Sequence, residues 1–180
     1  LSGLSQLAQL IKKYGVRAAI QLHHAGRMSK YEFASVQPVA PSAIAAPGGE
    51  LPRELTVEEI MDIVIRFANG AKLAKKAGFE GIEIHDAHPY LIAQFLSRAS
   101  NKRQDEYGGS LMKRVRLLLE VVKEVREAVG KSFPVWCRIN ASEFGIEDGL
   151  SLDEALEIVK IVRESPIDAI SISAFGYGKF

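Results

Sequence analysis

Four short apolar runs, at residues 16–22, 79–84, 134–139 and 169–173, each follow a stretch of helical periodicity that stops at glycine or proline. The stops are Gly15, Gly78, Gly130 and Pro166. Glycine accepts the left-handed backbone that ends a helix, and proline cannot continue one. Leu4, Leu7, Leu10, Ile11 and Tyr14 carry the first helical pattern. Thr56-Val57-Glu58-Glu59 reads as a capping box, opening a helix whose stripe is Ile60, Ile63, Val64, Phe67, Ala71, Ala74 and Ala77. A short apolar helix is expected around residues 91–96. Ser110 is placed to cap a long helix through Val115, Leu118, Leu119, Val122, Val125 and Val129. Ser151-Leu152-Asp153-Glu154 reads as a second capping box before Ile158, Val159 and Val162. Strand and helix in alternation mean an α/β fold. Strands that are apolar throughout fit a parallel sheet covered by helices.

A chain of 180 residues is read as a single domain, 1–180. The 23 Lys and Arg balance 22 Asp and Glu, so no global field calls for nucleic acid or an anionic membrane. No apolar stretch is long enough for a transmembrane helix, and no charged-then-apolar leader indicates secretion. Cys137 is the single cysteine. It excludes an internal disulfide and a cysteine-built metal cluster within these residues, and its apolar strand marks it as a small buried hydrophobe. A cytoplasmic protein fits these features. The chain opens at Leu1, inside a helical pattern, which suggests a fragment.

Pattern alone leaves a doubly wound sheet and a barrel open. No strand is followed by Gly-x-Gly-x-x-Gly, which counts against a dinucleotide-binding sheet. Three strand ends carry polar residues: Gln21-Leu22-His23-His24, His85-Asp86-Ala87-His88-Pro89-Tyr90 and Arg138-Ile139-Asn140. In a (βα)8 barrel every strand end faces one mouth, where chemistry is done, so a barrel is favoured. A whole barrel takes about 250 residues, so four strands are read as half of one. The long stretch 23–55 lacks periodicity and is rich in Pro, Gly, Ser and Ala, as in a lid or binding loop.

His85 and His88 admit three readings: a helix cap with a core histidine, two ligands of a metal, or two donors that grip a carbonyl oxygen. The metal reading is the weakest: it needs a third ligand, and His23 and His24, which could serve in principle, have no carboxylate beside them at their strand end. In the carbonyl reading Tyr90 is a nearby proton donor. Gln21 offers both a donor and an acceptor, and Arg138 a permanent cation, which together suit a flat heteroaromatic ligand. Arg138 could instead form an internal ion pair at the mouth.

Four segments together resemble the Old Yellow Enzyme family of FMN-dependent oxidoreductases. They are Gln21-Leu22-His23-His24-Ala25-Gly26-Arg27, Ala40-Pro41-Ser42-Ala43, the run from His85 to Leu96, and the run from Ser100 to Ser110. The resemblance spans nearly the whole chain and looks closest to bacterial NADH:flavin oxidoreductases. It implies a partial barrel of strand–helix units three to six, FMN as cofactor, and NAD(P)H as reductant. The implied reaction reduces the activated C=C bond of unsaturated carbonyl compounds. Gln21 and Arg138 match residues at the flavin pyrimidine, and Arg27 lies near the flavin or its covering loop. His85 and His88 match the pair that holds the substrate carbonyl, and Tyr90 the tyrosine of proton delivery. Asn101, Arg103, Asp105 and Tyr107 match a loop that orders the mouth. An iron–sulfur cluster would need cysteines outside this chain.

Three positions depart from the family pattern. Pro89 stands where Gly is usual, Met112-Lys113 replaces Glu-Asn, and Glu164-Ser165-Pro166 shortens a turn. Flavin floor and phosphate groups are expected outside residues 1–180, so self-association or further barrel segments are expected. The competing reading is a catalytically silent half-barrel or assembly module.

Overall fold

The structure, a computed structural model, describes residues 1–176. In chain order its elements are α1 (Ser2–Lys12), β1 (Ala19–Leu22), a 3-10 turn (Gly26–Met28), α2 (Tyr31–Ala34), β2 (Val39–Ala40) and β3 (Arg53–Glu54). There follow α3 (Val57–Ala77), β4 (Gly81–Asp86), α4 (Leu91–Leu96), α5 (Leu111–Val129), β5 (Val135–Phe144), α6 (Leu152–Val162) and β6 (Ala169–Gly176).

The main sheet has the order β1-β4-β5-β6, with every neighbouring pair parallel. Its strands are neighbours in the order in which they occur in the chain. Right-handed crossovers that never reverse direction put all helices on one face, which is the winding of a barrel and not of a doubly wound sheet. Each strand therefore has a helical face and a face that would line a barrel. Ile82 and Ile84 of β4 and Val135, Cys137 and Ile139 of β5 are wholly buried against the helices. Their partners include Ile60, Ile63, Val64 and Phe67 of α3 and Leu118, Val121, Val122 and Val125 of α5. Truncating one such residue, Ile84→Ala for instance, costs about 2–5 kcal/mol.

The opposite face is polar. Side chains alternate along a strand, so Gln21, Glu83, His85, Trp136, Arg138 and Asn140 all fall on it, in register across β1, β4 and β5. The strands are therefore not apolar on both faces, as their composition suggests. Each presents one apolar and one polar side, with Asp86 as the exception on the helical side. Trp136 lies across Gly81, where a Cβ would stand 2.8 Å from its ring, so this level of the sheet accepts no side chain at 81.

Several local expectations are corrected. The first strand covers Ala19–Leu22 and leaves Val16 exposed, the third reaches Phe144 past an irregularity between Asn140 and Glu143, and the fourth reaches Gly176. The Thr56 box is complete, with Glu59 N–H donating to Thr56 Oγ1 at 3.2 Å and Thr56 N–H to Glu59 Oε2 at 2.9 Å. The Ser151 box is half-made: Ser151 Oγ accepts from Glu154 N–H, but the Glu154 carboxylate turns to Arg114 at 2.5 Å and Arg98 at 3.1 Å. A buried guanidinium competes better for a carboxylate than a backbone N–H does. Ser110 stands at the start of α5 without a side-chain capping bond. The apolar stripe of α1 does form on a helix, yet Leu4, Leu7, Leu10 and Tyr14 are exposed, and only Ala8 of that helix is buried.

The stretch 23–55 holds its own structure, with β2 parallel to β3, the 3-10 turn and α2. It is tied down by buried Arg103, whose Nη1 donates to Pro41 O at 3.0 Å and Leu55 O at 2.7 Å while Nη2 pairs with Asp105 at 2.5 Å. Asn101 Nδ2 donates to Phe95 O and Tyr107 O, which folds the loop after α4 onto the same base.

Candidate active site

Strand ends bring four rings together. The His85 ring lies 4.9 Å from His88 and 5.0 Å from Tyr90, and Tyr90 lies 4.9 Å from His23. His85 leaves β4 on the polar face, and the turn after the strand returns His88 and Tyr90 to the same side. The turn works because His88 adopts a left-handed backbone, φ +54°, directly before Pro89. Asn140 holds it there: His88 N–H donates to Asn140 Oδ1 at 2.9 Å, and Asn140 Nδ2 donates to His88 O at 3.0 Å. Gln94 secures the neighbouring backbone, donating to Pro89 O at 2.6 Å and accepting from Arg27 N–H at 3.3 Å. Gly26 is required at this junction, because a Cβ there would stand 2.4 Å from Gln94 Oε1.

The hydrogen bonds decide the tautomers. Ala87 N–H donates to His85 Nδ1 at 3.2 Å, so the His85 proton sits on Nε2. That proton faces His88 Nδ1 at 3.1 Å, which leaves the His88 proton on Nε2, facing Ser173 Oγ at 2.9 Å. Burial, with His88 and His23 close by, pulls the His85 imidazole down to about 4. Burial and then Arg138 lower His88, and burial and then His23 lower His24. His85 is thus neutral near neutral pH and acts as an N–H donor, not as a cation.

One level below lies Glu83. Gln21 Nε2 donates to its Oε2 at 2.6 Å, Trp136 Nε1 to its Oε1 at 2.9 Å, and Arg138 Nε to its Oε1 at 3.2 Å. Burial opposes ionisation of Glu83, yet Gln21, Trp136 and Arg138 together hold its carboxyl below the usual carboxylate value. The internal ion pair weighed for Arg138 is therefore made, with a carboxylate that sits two residues before His85.

Arg27 does not join this group. It is buried, its Nη1 donates to Ile44 O at 3.3 Å, and its Nε has no hydrogen-bond partner. It belongs to the underside of the 23–55 segment. Glu83 and Ser173 escaped the sequence reading, which gives Asn140 only as part of a polar strand end, without a role. Glu83 could have been found from its position two residues before His85 on the same strand face, and Ser173 from its place at the end of the last apolar run.

A four-stranded parallel sheet wound in one direction, with histidines, a tyrosine and an arginine at one end of its strands, is the architecture of part of a (βα)8 barrel. The chain belongs to the NADH:flavin oxidoreductase / NADH oxidase family, whose profile matches residues 1–177. It is 48% identical over 175 residues to an NADPH dehydrogenase of Clostridium acetobutylicum, covering 97% of this chain and 51% of that protein. It superposes on the structure of 2-naphthoyl-CoA reductase in complex with 2-naphthoyl-CoA at a TM-score of 0.91 and 34% identity, over 97% of this chain and 29% of that one. On the old yellow enzyme homologue of Zymomonas mobilis the TM-score is 0.84 at 29% identity, over 94% of this chain and 51% of that one. The chain thus spans about half the length of the Clostridium and Zymomonas proteins it matches.

FMN is the cofactor of this family and NAD(P)H its reductant. The donor set fits such a group. Among the described residues, Arg138 uses only Nε on protein and keeps both Nη groups free, while Gln21 keeps its Oε1 free. A cationic pair of donors and an amide acceptor match the edge of a flavin pyrimidine.

Proposed function

We propose that this chain carries the substrate-facing half of an FMN-dependent, NAD(P)H-using oxidoreductase that reduces the activated C=C bond of unsaturated carbonyl compounds. The observation that carries the reading is the His85–His88–Tyr90 cluster, set one level above Gln21 and beside Arg138, the register partner of His85, on the same sheet face. FMN, when bound, supplies the two-electron chemistry between reductant and substrate.

The chain's own residues hold and polarise. Gln21 and Arg138 would hold the pyrimidine edge of FMN, and the fixed guanidinium charge would favour its more negative, reduced form. His85 Nε2–H and His88 Nε2–H are the two donors for a substrate carbonyl oxygen. In the structure these donors face His88 Nδ1 and Ser173 Oγ, so each must turn from its present partner to the carbonyl oxygen of a bound substrate. Two donors aimed at a developing oxyanion lower the barrier to its formation. Tyr90, ringed by His23 and His85, donates the proton that completes reduction. Arg27 positions the 23–55 segment over the mouth.

The test is the protein expressed from its complete reading frame, purified and assayed with NADPH, NADH and a simple cyclic enone. Yellow absorbance with enone-dependent oxidation of the nicotinamide supports the reading. Colourless protein without such turnover overturns it and leaves the second reading, a catalytically silent assembly module. That alternative is favoured by the free edges of β1 and β6 and by the exposed Leu4, Leu7 and Leu10 of α1, which invite further strands or a second copy. No helix among the described residues is long and apolar enough to cross a membrane, and a cytoplasmic location is proposed with the function.

A further inference from the structure

We infer that Glu83 is a positioning residue of the flavin site, holding Gln21 and Arg138 in place and offsetting part of the Arg138 charge. The inference rests on the FMN reading above. Glu83 lies in mid-strand, only 8% exposed, with β1 on one side and β5 on the other. A buried carboxylate loses several kcal/mol of hydration, and an apolar residue would fill a strand interior without that cost. Here the compensation comes from three donors on the two flanking strands: Gln21, Trp136 and Arg138.

Two of those donors are the groups assigned to the flavin. Gln21 and Arg138 stand on β1 and β5, with β4 between them, and Glu83 is the bond partner they share. Each gives Glu83 a single donor, Nε2 of Gln21 and Nε of Arg138, so Gln21 Oε1 and the Arg138 Nη groups are not spent on it. Removing the carboxylate frees two long side chains to rotate, so the donor set is no longer ordered before the ligand arrives. A negative charge 3.2 Å from Arg138 Nε also weakens the positive field that the guanidinium casts on a ligand. Glu83 thus acts through its partners and sets how strongly they favour the reduced, more negative flavin.

Glu83→Gln keeps the shape and the acceptor oxygen for Trp136 and Arg138, removes the charge and sets an N–H against the Gln21 donor, so that the Gln21 amide must flip to keep a bond, whereas Glu83→Ala removes every acceptor. The experiment uses protein from the complete reading frame, stripped of FMN. Each variant is titrated with FMN by fluorescence quenching, and the reduction potential of the bound flavin is measured against reference dyes, with Arg138→Ala as control. Expected are a raised potential for Glu83→Gln with a smaller loss of FMN affinity than in Glu83→Ala, where affinity falls by about tenfold or more. If Arg138→Ala shifts affinity and potential while both Glu83 variants match wild type, Glu83 is a core ion pair only and the inference is overturned. A lowered potential in Glu83→Gln overturns it as well. If the wild type binds no FMN, or Arg138→Ala shifts nothing, the FMN reading itself fails and takes the inference with it. Should Glu83→Ala not fold, the Glu83→Gln potential still decides.

Discussion

The Asn140 side chain holds both backbone groups of His88, accepting from its N–H at 2.9 Å and donating to its carbonyl at 3.0 Å. The two residues are 52 positions apart in the chain. A left-handed backbone on a residue that carries a Cβ is costly, and a proline immediately after it restricts it further. The reciprocal amide clamp is what keeps this conformation and points the imidazole back toward His85.

Asn140→Ala is expected to lower the unfolding free energy by about 1–2 kcal/mol, because it leaves two part-buried backbone groups of His88 without their partner. Urea unfolding followed by circular dichroism measures this. In the proposed enzyme the same change raises the enone KM more than it weakens FMN, since Asn140 touches only the substrate-side turn.

His85→Ala and His88→Ala are each expected to cut enone turnover by roughly a hundredfold or more while FMN stays bound, as when one oriented oxyanion donor is removed. Steady-state kinetics beside flavin absorbance check it. Normal turnover in both variants, or loss of FMN, removes the pair from the carbonyl site.

Arg138→Ala is expected to weaken FMN binding and lower the flavin potential, and Arg138→Lys to restore part of each. Lysine replaces the charge but cannot donate from an Nε position to Glu83 while presenting a second edge to a ligand. Potentiometric titration reads the order wild type, lysine, alanine.

Stability should fall on mild acidification. His85 is pulled to about 4 by burial and its histidine neighbours, while an unfolded imidazole titrates near about 6.5. Between those values the unfolded chain binds a proton that the folded chain does not. The contribution of His85 is therefore complete above the unfolded value and lost as pH falls through the folded one. His24 and His88 are displaced in the same direction. Urea midpoints at about pH 7.5 and 4.5 should separate, and His85→Gln should narrow the gap.

Asp86 works in the opposite sense. It is wholly buried on the helical face, neither carboxylate oxygen has a hydrogen-bond partner, and burial with Glu143 nearby pushes its acid well above the ordinary value. Its folded form keeps a proton that the unfolded chain releases, so its contribution is full below about pH 4 and is lost as pH rises through the folded value. Asp86→Ala should therefore gain stability relative to wild type as pH rises from about 4 to 8. Paired urea unfolding curves across that range give the answer, and a gap independent of pH would show the carboxyl to be ionised in the fold.

Residues such as His85, His88, Tyr90, Gln21 and Arg138 were legible in the chain because each follows an apolar run, and the polar end of a parallel strand is a local signal. The helices were legible for the same reason: Thr56 and Glu59 are three residues apart, and Gly78 follows the last apolar position of its stripe. What those residues touch was not legible. Glu83 read as one polar residue in an apolar run until β1 and β5 paired on either side of β4 and supplied its three donors. The Ser151 box looked complete until Arg114, 40 positions earlier, took the Glu154 carboxylate. The stripe of α1 signalled a helix but could not say whether any surface would cover it.

Periodicity, caps and stops act over three or four residues, so the amino-acid order already contained the alternation of strand and helix and the polar strand ends. The left-handed turn at His88, the bond of His88 to Ser173 and the pairing of Arg138 with Glu83 depend on side chains 52 to 85 positions apart. Those contacts exist only after the strands have paired, because burial and hydrogen-bond geometry are properties of neighbours in space and leave no periodic trace along the chain.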